Sequence, residues 1–182
     1  MGQERFLFDQ GEITRTLRRI AHEIIENNDD LTQVVLVGIK TRGEYLARRI
    51  QENLEAIEGC QVPLEIMDIS FYRDDLPLQT RTLDPELKAS KFETNLTDRC
   101  VVLVDDVLYT GRTIRAAIDG IMDQSRPSRI QLGILIDRGH RELPIRADYV
   151  GKNVPTAKNE HIQLQLQEVD GQDSVQLIQP TI

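Results

Sequence analysis

The stretch from Val101 to Thr113 constrains the fold more than any other part of this chain. Val101-Val102-Leu103-Val104 is an unbroken apolar run, as expected for a parallel strand covered on both faces. Asp105 and Asp106 stand where that strand is expected to end. Val107-Leu108-Tyr109-Thr110-Gly111-Arg112-Thr113 then leads into a segment with apolar positions Ile114, Ala117, Ile118, Ile121 and Met122. That spacing predicts a helix with one stripe laid on a sheet. Strand, acidic pair, glycine turn and helix start together describe an anion cradle beside a pair of hydroxyl acceptors. The free N–H groups and positive dipole end of a helix favour a phosphate, and Thr110 and Thr113 add hydroxyl donors. Asp105 and Asp106 repel phosphate, so their partners are a sugar diol or a hydrated Mg²⁺. A phosphorylated ribose fits both halves. The plainer reading, an Asp pair acting only as a turn and cap device, competes with it.

The remaining chain supplies two more strand ends of this kind. Val34 to Val37 is a buried strand running into Gly38-Ile39-Lys40-Thr41-Arg42-Gly43. Its glycines have P-loop spacing, but Glu44-Tyr45 stands where Lys-Ser/Thr is required, which excludes that chemistry. What remains is a cationic turn before a helix with Leu46, Ala47, Ile50 and Leu54, and with Thr41 and Glu44 spaced for a capping box. The turn reads either as a capped helix with surface cations or as a diphosphate clamp. Ile130 to Ile136 is the third strand, ending in Asp137-Arg138-Gly139-His140-Arg141. In open α/β sheets, ligands bind where such strand ends meet. The first helix begins at Asp9, with Glu12 spaced to complete a cap and Phe8 to staple onto Ile13. It buries Ile13, Leu17, Ile20 and Ile24 and carries a second stripe of Arg15, Arg18, Arg19 and His22. Spacing alone favours a solvated face for that stripe. Val62, Leu64 and Ile66 alternate after Pro63 as an edge strand, and a hairpin is expected from His161 to Val169 and Val175 to Ile178 around Asp170-Gly171.

Bulk properties narrow the class. The chain has 182 residues, 40% of them hydrophobic and 29% charged, enough for one α/β domain with a full core. The net charge of −8 argues against a general electrostatic grip on nucleic acid, so any such site must be a local basic patch. No apolar run is long enough for a bilayer, and Cys60 and Cys100 lack metal spacing, so no membrane partner and a reducing cytoplasm are expected.

The run around Asp105-Asp106 resembles the phosphoribosyl-pyrophosphate (PRPP) motif of the type I phosphoribosyltransferases. Together with Ile39 to Gly43, Tyr72-Arg73-Asp74-Asp75-Leu76 and the long stretch from Asp137 to Pro155, it resembles the bacterial pyrimidine operon attenuation regulators, which are also uracil phosphoribosyltransferases. The resemblance implies one α/β domain over residues 1–182: a mainly parallel sheet flanked by helices, a flexible loop about 70–99 and a small hood about 137–182. It implies transfer of phosphoribosyl from PRPP to uracil, giving UMP and pyrophosphate, with Mg²⁺ arriving on PRPP.

Carried over residue by residue, Asp105 and Asp106 would hold the ribose hydroxyls, and Val107, Leu108, Tyr109, Thr110, Gly111, Arg112 and Thr113 would wrap the 5′-phosphate. Lys40, Thr41 and Arg42 would meet the pyrophosphate, joined by Arg73 and Arg81. Arg138 and the backbone near Ile162 would surround uracil. Arg42 and the acidic pair are the expected catalytic groups. The resemblance also implies binding of pyrimidine operon leader mRNA when UMP is bound, by Arg15, Arg18, Arg19, His22, His140, Arg141, Arg146 and Lys152, in a homodimer or a tetramer. Arg18 departs from the small hydroxyl residue that the family's first-helix pattern leads one to expect. Two alternatives stay open: an enzyme without RNA regulation, and an RNA-binding regulator with vestigial catalysis.

Overall fold

The computed structural model describes residues 4–70 and 91–179. Five parallel strands form the central sheet: β2 (Val34–Ile39), β3 (Leu64–Met67), β4 (Cys100–Leu108), β5 (Arg129–Asp137) and β6 (Tyr149–Asn153), in the order β3-β2-β4-β5-β6. β2 is buried at every position, as its unbroken apolar run predicts. Alternate residues feed two cores. Val34, Leu36, Val102 and Val104 face one side, under α1 (Gln10–Glu26) and α2 (Arg42–Glu58). Val35, Val37, Val101 and Leu103 face the other, under α3 (Arg112–Gln124). β3 begins just after Pro63 and lies at the sheet's edge, where a missing N–H costs nothing to the ladder.

A second, antiparallel sheet stands beside the first. It joins β1 (Glu4–Phe8), β8 (Ser174–Ile178) and β7 (His161–Gln165) in that order. The expected C-terminal hairpin is therefore present. It differs in one respect: β7 stops at Gln165, and a short helix α4 (Gln167–Asp170) takes the residues expected to continue the strand. Gly171, with φ of +75°, turns the chain into β8. Phe8, Leu164, Leu166 and Val175 join the core under α1 and α2, which seats this hood on the body. β1 had no sequence signal of its own, because Arg5 and Phe6 are both exposed.

Three further expectations change. β4 does not end before the acidic pair. It continues to Leu108, because β5 still offers partners at Asp105↔Ile134, Val107↔Ile136 and Leu108↔Asp137. Met122 is 53% exposed, and Ala116 takes its place in the buried stripe of α3. The Thr41–Glu44 capping box does not form: Thr41 is already in the helical region and makes no side-chain cap bond, while Glu44 accepts from Arg48 at 3.0 Å. The expected box at the start of α1 is complete. Asp9 Oδ1 accepts from Glu12 N at 2.7 Å, and Glu12 Oε2 accepts from Asp9 N at 2.9 Å.

Candidate active site

β2, β4 and β5 are parallel neighbours, so their C-terminal ends open on one rim together with the starts of α2 and α3. Asp105 and Asp106 lie on this rim with different exposure. Asp105 is 7% exposed, and Asp106 is half-buried. Main-chain donors fix both carboxylates: Asp106 N donates to Asp105 Oδ1 at 2.9 Å, and Val107 N to Asp106 Oδ1 at 2.7 Å. Burial pushes the Asp105 carboxyl well above its ordinary value, and the charge of Asp106 adds to the effect.

Gly43, in the first turn of α2, brings the cationic turn against this pair. A Cβ there would lie 2.6 Å from the Val104 carbonyl oxygen and 3.1 Å from Asp105 Cα. No side chain fits, so only glycine lets the helix start approach β4 so closely. Lys40 and Thr41 are exposed at the same rim, joined by a cis peptide bond. Arg42 is half-buried, and its Nη2 donates to both Asp170 oxygens, at 3.0 and 3.2 Å.

The α3 side is built around Gly111. With φ of +93° it is the N-cap of α3 and has no side chain to cap it, and Thr110 Oγ1 accepts from Arg112 N at 3.3 Å. The first turn's N–H groups therefore face the rim without a carboxylate among them. The segment after β5 is stitched onto this turn. Glu142 N and Leu143 N donate to Thr110 O at 2.9 and 3.2 Å, and Arg141 Nη1 donates to Tyr109 O at 2.7 Å. Arg138 stacks over Tyr109, its Cζ 4.0 Å from the ring centroid, and His140 meets the same ring edge-on at 5.8 Å.

A phosphoribosyl transferase domain family matches residues 6–169. A relative from Halalkalibacterium halodurans, the Bifunctional protein PyrR, is 55% identical over 177 residues, spanning 97% of this chain and 98% of its own. The Bifunctional protein PyrR of Bacillus subtilis is 54% identical over 175 residues, 96% and 97% of the two chains. The chain belongs to the PyrR family of phosphoribosyltransferases. Its fold is also that of solved hypoxanthine phosphoribosyltransferases. One from Trypanosoma cruzi, in complex with IMP, gives a TM-score of 0.72 at 16% identity over 98% of this chain and 91% of that one. One from Staphylococcus aureus gives 0.72 at 17% identity over 97% and 93%.

Within this PyrR-family frame the remaining site residues divide. Asp105, Asp106, Gly43, Arg42 and the loop from Val107 to Thr113 come together, whereas Arg73 and Arg81 lie outside the described residues. Arg138 is 5% exposed, and its fork is occupied by Thr156 Oγ1 at 3.0 Å, Ala157 O at 3.2 Å and Glu160 O at 2.8 Å. It ties the Tyr109 turn to the approach to β7. Ile162 is half-buried in β7, opposite Leu177.

The eight basic residues do not form one patch within a single chain. Arg19 donates to the Val150 and Gly151 carbonyls of β6, and Lys152 lies 4.8 Å from the centre of the Phe8 ring, so Arg15, Arg18, Arg19, His22 and Lys152 share the α1–β6 edge. His140 and Arg141 are instead on the catalytic rim, where Arg141 also pairs with Asp137. Arg146 lies beside Ile118, Ile130 and Ile145 on the α3 face. The reason is local: the turn after β5 folds back onto Thr110 before the chain reaches β6. Sequence reasoning missed Asp170, read only as a turn residue, and Thr156 and Glu160, which hold Arg138. Nothing in the local pattern marks them, because their partners are distant in sequence.

Proposed function

We propose that this protein transfers the phosphoribosyl group of PRPP to uracil, giving UMP and pyrophosphate, and that in the cytoplasm it binds pyrimidine operon leader mRNA in response to UMP. One observation carries the reading: an acid pair held by main-chain N–H groups stands between a cationic helix start and one that no carboxylate closes. Asp106 offers oxygens to the ribose diol, and Asp105 backs it from below. The α3 start receives the 5′-phosphate, and the turn from Lys40 to Arg42 receives the pyrophosphate. As the C1′–O bond breaks, positive charge grows on the sugar and negative charge on the departing pyrophosphate. Carboxylates beside the first and cations beside the second stabilise that separation more than the ground state. Among the described residues no group of three or more His, Cys, Asp or Glu gathers to hold a metal. Mg²⁺ would arrive on PRPP and supply charge neutralisation, meeting Asp106 through water.

The RNA reading rests on the α1–β6 edge, where cations stand in helical rows along an exposed face. Phosphate contacts there would give affinity, with exposed loop bases giving selectivity. A symmetric second copy would double that edge. The test combines both activities. The Asp105→Asn, Asp106→Asn double variant is expected to form UMP at least about a hundredfold more slowly, the scale of losing an electrostatic transition-state contact. Unchanged turnover in the double variant overturns the enzymatic reading. Gel-shift titration with leader RNA is expected to tighten with UMP and weaken steeply with salt. UMP-independent binding overturns the regulatory one.

A further inference from the structure

The hood is held to the body by two arginines of α2 that are two helical turns apart. Arg49 donates from Nε and Nη2 to Glu168 at 2.9 and 2.6 Å, and from Nη1 and Nη2 to Asp173 at 2.8 Å each. Both carboxyls are drawn below the usual carboxylate range, first of all by their hydrogen bonds to Arg49. Asp173 also accepts from Gln167 N at 2.7 Å, so the short helix α4 is fixed at both ends. On this anchored turn Asp170 is itself fixed, since its Oδ2 accepts from Leu166 N at 2.8 Å. Asp170 then takes Nη2 of Arg42 between its two oxygens.

The other side of the Arg42 fork is different. Its Nε is buried and has no hydrogen-bond partner among the described residues. A buried, unpaired N–H costs about 1–3 kcal/mol, more when the group is charged. Arg42 sits at the start of α2, where helix N–H groups and Lys40 already favour an anion. A guanidinium can serve a carboxylate with one nitrogen and a phosphate with the others at the same time.

We propose that Asp170 is a positioning residue for the pyrophosphate end of PRPP: it anchors Arg42 by Nη2 so that the rest of the guanidinium is set for a diphosphate oxygen. This rests on the reading of Arg42 as a pyrophosphate contact. It goes beyond that reading by giving the hood a part in holding the leaving group. Asp170 touches no reacting atom, and its whole effect passes through Arg42.

The test is a double-mutant cycle on the full chain, with pyrophosphate binding measured by calorimetry and KM values for PRPP and uracil measured separately. Asp170→Asn is expected to weaken pyrophosphate binding and raise the PRPP KM about tenfold, with the uracil KM and the melting temperature nearly unchanged. In an Arg42→Ala background, Asp170→Asn is expected to change nothing further. If Arg42→Ala weakens pyrophosphate but Asp170→Asn leaves it unchanged or tightens it, the positioning role is overturned and the Arg42 reading stands. If Arg42→Ala itself leaves pyrophosphate binding intact, the underlying reading fails. Equal loss on both substrates with a lowered melting temperature makes Asp170 merely structural and also overturns the proposal.

Discussion

The start of α1 and the rim where α2 and α3 start solve the same problem in opposite ways. Every helix start exposes N–H groups that need acceptors. α1 supplies its own: Asp9 and Glu12 close the end with reciprocal bonds. At the rim neither N-cap residue, Thr41 of α2 or Gly111 of α3, makes a side-chain cap bond. The carboxylates of the rim pair, Asp105 and Asp106, accept instead from Asp106 N and Val107 N within the end of β4. The carboxylate at α1 serves the helix, whereas those at the rim leave the helix ends open. The α1 end is closed by carboxylates, whereas no carboxylate closes the α3 end.

The sharpest way to break this contrast is to close the rim. Gly111→Asp places a carboxylate at the start of α3, on backbone with φ of +93° that a side chain strains. PRPP and UMP affinity are expected to fall about a hundredfold, with about 1–2 kcal/mol lost in stability from the strained conformation. Titration calorimetry with UMP checks it, and undiminished affinity refutes the anion role of this turn.

A smaller effect separates the carboxylates themselves. Asp105 has its folded pKa raised, first by burial. Its protonated form is the one the fold prefers. The folded state therefore loses stability as pH rises from the unfolded value, about 4, towards the raised one. Asp105→Asn copies the protonated form. It is expected to raise the melting temperature at neutral pH, by about 2–4 °C per kcal/mol relieved, and the gain should vanish near pH 4. Thermal unfolding across that range checks it, and a pH-independent shift contradicts the burial account.

The smallest effect is at α1. Asp9→Ala is expected to cost about 1 kcal/mol, read in chemical denaturation, with UMP formation unchanged. A loss of turnover there would erase the distinction between the two regions.

How far the sequence could be read follows the same division. Three of the five parallel strands were legible where apolar runs ended in polar clusters, as at Val34 to Val37 and Ile130 to Ile136, and β3 by its alternation, whereas β6 (Tyr149–Asn153) had no reading of its own. The Asp9 cap was legible because its partners are three residues apart. The hood was only half legible. β1 carries no alternation, since Phe6 is 56% exposed, and only its distant partner β8 makes it a strand. The acid pair and the turns at Lys40 to Gly43 and Thr110 to Thr113 were visible as residue types at fixed spacing. Their supports were not: Asp170 under Arg42, and Thr156 and Glu160 under Arg138, are contacts across many residues that no local pattern encodes. The scatter of the basic residues had the same cause, because spacing cannot say which way the turn at Gly139 throws His140 and Arg141.

The hood has a further consequence for how the chain becomes active. Its strand β1 pairs with β8, Glu4 opposite Ile178, so two segments far apart along the chain must meet to complete it. Contacts between such remote segments are slow to form. The parallel body can assemble while β1 still lacks its neighbour, because the two sheets share no strand. The rim at the ends of β2, β4 and β5 can thus take shape before the hood closes beside it.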